Sequence, residues 1–525
     1  MALGANLRNE EGKRMSVVVD EAVVPVADGT ALLACDVWRP ADSGVHPTVL
    51  VRTPYGRQLA RQENDPLLWA RLGWAVVHQD VRGRLGSTGA FEPFAHETRD
   101  AAETIDWICA QEWSDGRVVA MGPSYVGLTQ WLAAASGHPA LRALAPTTTM
   151  HDPTRWFSEA GTPRRGFLAW WAAGFAATSP DPAMAAAGAA LAVQLLEDQP
   201  GSAWDEALSK VFPAYAGWLT GSPSLPTVDP ETQLRPAIHL VGWHDLFCED
   251  SLASYSQMNA LAAGRPEYTQ RLIVGPWIHI GVGMQNAGDV DYGPMANGLL
   301  RGVPMETAGF LTAALEVGEL VSGASLFVMG TNEWHEFPSW PPQLPSTVLH
   351  LKADRGLASA PDDNPAEIAW THDPKSPVPS LGGRTLGPNL LDAGPRDVSS
   401  LMERDDVLTF VGEPLTRPLT VVGEVTAELS VECSREHDLI LRLVDVHPDG
   451  RHMSVVEHSQ RFESGGTRTL LVGSTAQHFA AGHRVGLQIA ASSWPRLGTT
   501  PAAELTLRLG GSTPAALTLP VLDEA

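Results

Sequence analysis

A chain of 525 residues with 36 Lys and Arg against 60 Asp and Glu carries a formal charge of −24, which argues against nucleic acid and anionic membrane as partners. Its 44% hydrophobic content supplies sizeable cores, and low-complexity or coiled-coil composition is absent. Length alone suggests about three units of ~150 residues.

In chain order, residues 17–26 and 31–38 read as paired strands around the turn Asp28-Gly29. Pro47-Thr48-Val49-Leu50-Val51 is a short apolar run of the kind buried in a parallel sheet, and it ends in Arg52-Thr53-Pro54-Tyr55-Gly56. A helix over 66–72 and a strand over 74–79 follow. The strand runs into a Gly- and Arg-rich loop, Asp80 to Gly89, in which Asp80 is expected to pair with Arg82 or Arg84. Residues 96–112 have helical periodicity. Val118-Val119-Ala120-Met121 then leads into Gly122-Pro123-Ser124-Tyr125-Val126-Gly127, and a helix-favouring run from Leu128 to Ala135 leaves it. This Gly-x-Ser-x-Gly, on a strand-to-helix turn, pushes a serine hydroxyl out above the sheet. The following helix aims its first N–H groups at an oxyanion forming beside that serine.

Another strand spans 141–146. From about 150 to 235, Trp, Ala and Pro rise and helical spacing dominates, the texture of a helical insertion. Alternation resumes with a strand over 237–242, a helix over 249–262, a strand over 270–275 and a last strand over 325–330. After the prolines at 338, 341, 342 and 345, short strands recur at 347–351, 407–411, 419–433, 438–446, 453–463, 467–472, 484–492 and 503–509, the pattern of a β-sandwich. The expected units are an α/β core over 1–150 and 236–335, a helical cap over 151–235, and a β-domain over 346–525. The cysteines, Cys35, Cys109, Cys248 and Cys433, form no Cys-x-x-Cys and read as reduced thiols. No apolar signal core or membrane span is visible, and the Ala-rich stretch 183–196 is too short and weakly apolar for one. The expectation is a soluble cytoplasmic protein.

A serine hydroxyl needs a base, and the base needs an orienting carboxylate. Two later strand ends offer them: Gly242-Trp243-His244-Asp245-Leu246-Phe247 and Gly275-Pro276-Trp277-Ile278-His279. The order Ser124, Asp245, His279 is that of α/β-hydrolases, and ligands bind at this edge of open α/β sheets. His244 is a rival base that would face the other side of its turn; His239 lies inside a strand and reads as structural. The backbone N–H of Tyr125 is one expected oxyanion donor. The residues alone leave Tyr55 open between a second donor and a plain Pro-Tyr-Gly turn.

These motifs together resemble the CocE/NonD family of serine hydrolases, the cocaine esterase and X-Pro dipeptidyl-peptidase-like group. The matching pieces are Arg52-Thr53-Pro54-Tyr55, Gln79-Asp80-Val81-Arg82-Gly83, Gly122 to Trp131, Gly242 to Asp245, Gly275 to His279, Arg404 to Leu408 and Leu443 to Gly450. The resemblance implies an α/β-hydrolase core, an inserted helical cap and a C-terminal jelly roll. It also implies Ser124 as nucleophile, His279 as base, Asp245 as its orienter, and Tyr55 and Tyr125 as the oxyanion hole. Neither metal nor organic cofactor is implied. Relatives that bind a substrate ammonium place acids shortly after the catalytic Asp. Here those positions are Leu246, Phe247 and Cys248, with Glu249 and Asp250 just beyond. Phe247 and Trp156, with Trp170 or Trp171, fall where aromatic pocket walls are expected, or they pack as core. His447, the 493–504 segment and the cap have no familiar counterpart.

The reading is a serine esterase that cleaves a small, largely apolar carboxylic ester through an acyl-enzyme on Ser124. The alternatives are an amidase, acylase or X-Pro-type peptidase with the same triad, and a protein whose jelly roll binds a ligand. A homodimer through the β-domain is a further expectation.

Overall fold

The computed structural model describes residues 7–8, 14–220, 225–316, 318–387, 392–462, 465–512 and 515–523. Its N-terminal strands are β1 (Val17–Pro25), β2 (Leu32–Pro40), β3 (His46–Thr53), β4 (Ala75–Asp80), β5 (Ser114–Pro123), β6 (Leu141–Thr147), β7 (Ala237–Gly242), β8 (Gln270–Gly275), β9 (Gly323–Val328) and β10 (Glu333–Phe337). They form one sheet in the order β10-β9-β8-β7-β6-β5-β3-β4-β2-β1. From β4 to β9 neighbours run parallel, while β1, β2 and β10 pair antiparallel at the edges. Strands β4, β7, β8 and β9 are buried throughout their length, as in a sheet covered by helices on both faces. The crossing of β3 and β4 in the order, and the helices after β5 and β7, are those of an α/β hydrolase.

The longer helices are α1 (Arg57–Glu63), α2 (Pro66–Arg71), α3 (Glu97–Cys109), α4 (Tyr125–Ala135), α5 (Arg165–Ala177), α6 (Pro182–Gln194), α7 (Trp204–Val211), α8 (Ala214–Leu219), α9 (Cys248–Leu261) and α10 (Val303–Glu316). The α5–α8 group, inserted between β6 and β7, is the helical segment expected from composition. Its Phe167, Leu168 and Trp171 join the same apolar cluster as Leu128 and Trp131 of α4, so it is fused to the core.

Within this unit, α1 and two further elements lie outside the sequence reading. The sheet does not stop at β9: Glu333-Trp334-His335-Glu336-Phe337 adds β10, a short charged edge strand that lacks the apolar run of a buried one. The helix α10 lies in a stretch for which the sequence reading holds no element; its mixed apolar run packs on β6 and shares an apolar cluster with Val49, Val51 and Val119 through Val303, Leu311 and Leu315.

The C-terminal strands are β11 (Ser346–Leu351), β12 (Gly356–Ala358), β13 (Ala366–His372), β14 (Leu408–Gly412), β15 (Leu419–Cys433), β16 (His437–Val446), β17 (His452–Phe462), β18 (Thr467–Phe479), β19 (Arg484–Ala490), β20 (Ala503–Leu509) and β21 (Ala516–Pro520). They form a separate sheet in the order β13-β20-β15-β21-β11-β12-β14-β19-β16-β17, with β18 pairing β15. Leu429 and Val472 of the paired β15 and β18 share one core with Leu441 and Leu487 of the paired β16 and β19, far along that order. β12, β13 and β21 had no counterpart in the sequence reading, and β18 runs on to Phe479 past the expected 472.

Candidate active site

The elbow at Ser124 follows from local sterics. Ser124 adopts φ 60 and ψ −128, a region that costs a non-glycine residue about 1–3 kcal/mol. Gly122 has φ +132, and a Cβ there would lie 2.4 Å from Val126 Cγ1; one at Gly127 would lie 2.4 Å from Thr149 Cγ2. Both glycines of the motif are therefore required by close approach rather than by chemistry. The Ser124 N–H donates to Thr147 O at 2.9 Å, and the Thr148 hydroxyl donates to His279 O at 3.2 Å. The Ser124 turn and the His279 loop are thus tied to consecutive residues at the end of β6.

Asp245 and His279 leave β7 and β8, which pair in register with Gly242 opposite Gly275. Asp245 is fully buried; its Oδ1 accepts from the Phe247 N–H at 2.6 Å and its Oδ2 from His279 Nδ1 at 2.5 Å. A carboxylate only accepts, so Nδ1 carries the imidazole proton and Nε2 is left as the basic nitrogen. His279 Nε2 is buried without a hydrogen-bond partner. Pro123, Thr147 and His279 line a common cavity of about 370 Å³.

His244 is turned away from this pair. Its Nε2 meets the Tyr292 hydroxyl at 2.9 Å, and burial holds it down at about 3. His239 meets Gln270 Oε1 at 2.9 Å inside the sheet, and burial lowers it to about 4. Both are core residues. Asp80 corrects an expectation: it binds Arg57, through Nε at 3.1 Å and the backbone N–H at 3.0 Å, and not Arg82 or Arg84. Arg82 reaches Asp100 instead, and Arg84 donates to Pro54 O at 3.0 Å. Asp80 ends β4 facing the start of α1, where Arg57 sits, whereas the loop carries both later arginines away from it.

Tyr125 is fully buried. Its hydroxyl donates to Glu97 Oε1 at 2.9 Å and accepts from the Phe94 N–H at 3.0 Å, and Glu97 is paired with buried Arg52 at 2.7 Å. Burial and the Glu97 charge push the phenol well above its ordinary range, so its side chain serves as a fixed hydrogen-bond post. Its N–H, first in α4, belongs to the turn whose amides have no intrahelical acceptor. Tyr55 Oη accepts from the Trp171 indole N–H at 3.2 Å, and its ring stacks on Phe175 at 6.2 Å.

Trp156 and Phe247 are wholly buried and lie 4.6 Å apart, with the Phe247 ring 5.5 Å from that of His279. Trp171, rather than Trp170, enters this group, 5.3 Å from Trp156; Trp170 is half-buried on the same helix. The two acids beyond Phe247 are both neutralised by arginine: Glu249 by Arg384, and Asp250 by Arg164 at 2.5 Å.

Sequence reasoning missed Asn64, Thr307 and Arg384. Asn64 Nδ2 and Thr307 Oγ1 are buried without partners, and both residues line the His279 cavity. Arg384, from the C-terminal unit, donates to Trp243 O at 2.9 Å, two residues before Asp245, and to Ser474 O at 2.7 Å. None of these sits in a local motif; only the tertiary fold brings them here.

Family models for the X-Pro dipeptidyl-peptidase (S15 family) and for the X-Pro dipeptidyl-peptidase C-terminal non-catalytic domain match residues 28–281 and 320–518. A cocaine esterase of Rhodococcus is 32% identical over 91% of this chain and 91% of its own. An aminopeptidase structure from a marine sediment Thaumarchaeota archaeon superposes with a TM-score of 0.76 at 22% identity, covering 97% of each chain. A CocE/NonD family hydrolase from Staphylococcus aureus superposes at 0.68 and 16% identity, over 98% of this chain and 95% of that one.

Proposed function

The chain belongs to the CocE/NonD family of serine hydrolases, and from that premise we propose that it is an esterase whose nucleophile is Ser124. The observation that carries this is the buried Asp245–His279 pair, whose basic nitrogen has no other partner, at the strand edge where the strained Ser124 turn lies. As Ser124 Oγ attacks the ester carbonyl, His279 Nε2 takes its proton. The Tyr125 N–H and the Tyr55 hydroxyl would hold the oxyanion. The alcohol leaves with the proton from His279, and water, deprotonated by the same nitrogen, releases the acid. Asp245 keeps Nδ1–H aimed and stabilises the imidazolium.

The relative at 32% identity is named a cocaine esterase. Phe247 lies beside His279, with Trp156 and then Trp171 packed behind it, and this apolar surround favours a small, apolar acyl group. The X-Pro peptidase family keeps an amide reading open. A peptidase of that kind must hold a free amino terminus, and the acids nearest the pair, Glu249 and Asp250, are already bound to arginines. That favours the ester. A cytoplasmic location is part of the same proposal, and the free thiols of Cys35, Cys109 and Cys248 fit a reducing compartment.

Labelling with a fluorophosphonate followed by peptide mapping, with p-nitrophenyl ester turnover alongside, tests the nucleophile. The adduct is expected on Ser124. Ser124→Ala is expected to lose at least about 10³-fold in kcat/KM, as removal of a triad member does; turnover retained by that variant would overturn the mechanism. Matched ester and amide substrates then rank the two readings.

A further inference from the structure

We propose that Asp445, His447 and His483 form a binding site for one divalent first-row transition-metal ion, with Zn²⁺ as its reference occupant. The three belong to the C-terminal unit and lie outside the serine chemistry, and His447 is the residue of its motif that has no familiar counterpart.

The ladder creates the cluster. β16 and β19 pair antiparallel with Asp445 opposite Val485 and Val446 opposite Arg484. One step further along that register sets His447 across from His483. Asp445 and His447 are two apart, so they share a face of the strand. The ligand atoms of all three lie within 4.8 Å of one another. Asp445 Oδ1 is 2.9 Å from His483 Nδ1, Oδ2 is 3.6 Å from His447 Nε2, and the two imidazole centroids are 4.3 Å apart.

These distances suit an ion. Zinc holds His nitrogen and carboxylate oxygen at about 2.0–2.1 Å in a tetrahedron, which separates neighbouring ligand atoms by about 3.3 Å. The observed 2.9 and 3.6 Å run from His483 and His447 to different oxygens of Asp445, so the one carboxylate faces both imidazoles at close to that separation. The backbone at both histidines is fixed: the His447 N–H donates to Arg451 O at 2.9 Å, and the His483 N–H to Ala480 O at 3.1 Å. Asp445 is buried while both histidines keep partial exposure, so the charge is sheltered and an ion has a way in. Two imidazoles and a carboxylate select Zn²⁺, Ni²⁺ or Cu²⁺ over Ca²⁺ or Mg²⁺. Water completes the shell.

One group opposes occupancy. The Arg451 guanidinium lies 3.4 Å from His447 Nδ1 and is paired with Asp449 at 2.9 Å. A metal on Nε2 requires the proton on Nδ1, so Arg451, half exposed, must turn away. The site therefore predicts an unusual sign: removing this cation tightens binding.

The test is calorimetric titration of the chelator-stripped full chain with ZnCl₂, with Co²⁺ added in parallel to read its ligand-field absorption. One saturable equivalent is expected. His447→Gln and His483→Gln should each weaken it by more than the about tenfold that loss of an outer-shell partner costs, and Arg451→Gln should strengthen it. Ester turnover retained by these variants shows that they are folded. Absence of a saturable site, or affinity unchanged in both histidine variants, overturns the proposal. So does an Arg451→Gln chain that binds no tighter.

Discussion

His78 sits in the middle of β4 with both ring nitrogens buried and without partners. Burial, with Arg61 nearby, lowers its pKa to about 4. A histidine whose folded pKa is below the unfolded value of about 6.5 takes up its proton more readily in the unfolded chain. Its neutral form therefore supports the fold above pH 6.5, and that support is lost as pH falls through 6.5 towards 4. The loss is about 3 kcal/mol at 1.36 kcal/mol per unit. His78→Leu, which leaves no polar atom behind, should flatten the pH dependence of the denaturation midpoint between pH 4 and 6.5. Tyr55 is a second case at this scale. Tyr55→Phe should lower kcat/KM by about 10²-fold through loss of an oxyanion donor while fluorophosphonate still labels Ser124. It also leaves the Trp171 N–H unpaired, so a stability loss of about 1 kcal/mol accompanies it. Steady-state kinetics and urea unfolding on one preparation separate the two effects. Ser124, Asp245 and His279 stand out as candidates in the sequence because each ends a strand with its own glycine-bounded motif. Arg52 and Glu97 do not, because they pair with each other 45 residues apart and Glu97 meets Tyr125 28 residues on; Asn64 does not, because it stands in no local motif.

Elements carry positioning that single residues cannot. The turn between β7 and α9 presents Asp245, and it is clamped from outside the catalytic unit. Arg384 donates to Trp243 O and Ser474 O and pairs with Glu249, whose carboxylate also accepts from the Ser474 N–H and hydroxyl at 2.6 Å. Breaking a buried pair from one side leaves the other charge stranded. Arg384→Met should therefore cost about 3 kcal/mol in chemical denaturation and lower ester turnover as the Asp245 turn loosens. Arg384→Lys, which keeps the charge but not the fork, should fall between. α9 itself was predicted at nearly its observed limits because its periodicity is local. β10 was not, because an edge strand with alternating charge has no apolar signature of its own.

Across the whole molecule, the two units are joined by buried charge rather than by a linker alone. Glu159, beside the cap, is held at about 2: burial alone would raise it, and Arg496 and His458 of the C-terminal unit overcome that. Arg165 at the start of α5 lies 4.1 Å from the Trp494 ring centroid, and Met329 after β9 bridges to Gln477 on β18. A chain ended after residue 337 would strand Glu159, Glu249 and the apolar faces around them. It should be recovered aggregated or with exposed hydrophobic surface, and without ester turnover. A soluble, active fragment, read by size-exclusion chromatography and kinetics, would assign the C-terminal unit a role apart from completing the fold.

The sequence by itself determined the alternation of strands and helices, the break in texture at the cap, the β-rich C-terminal unit and the order Ser124, Asp245, His279. These rest on periodicity and on turn chemistry that neighbouring residues impose on one another. Tertiary structure alone decided which side chains meet across that framework. It set Asp80 on Arg57, His244 on Tyr292, Trp171 on Tyr55, and Glu249 and Asp250 on arginines from other segments. Buried polar groups must find partners wherever the packed chain offers them. That choice depends on distances between elements, which no local pattern records.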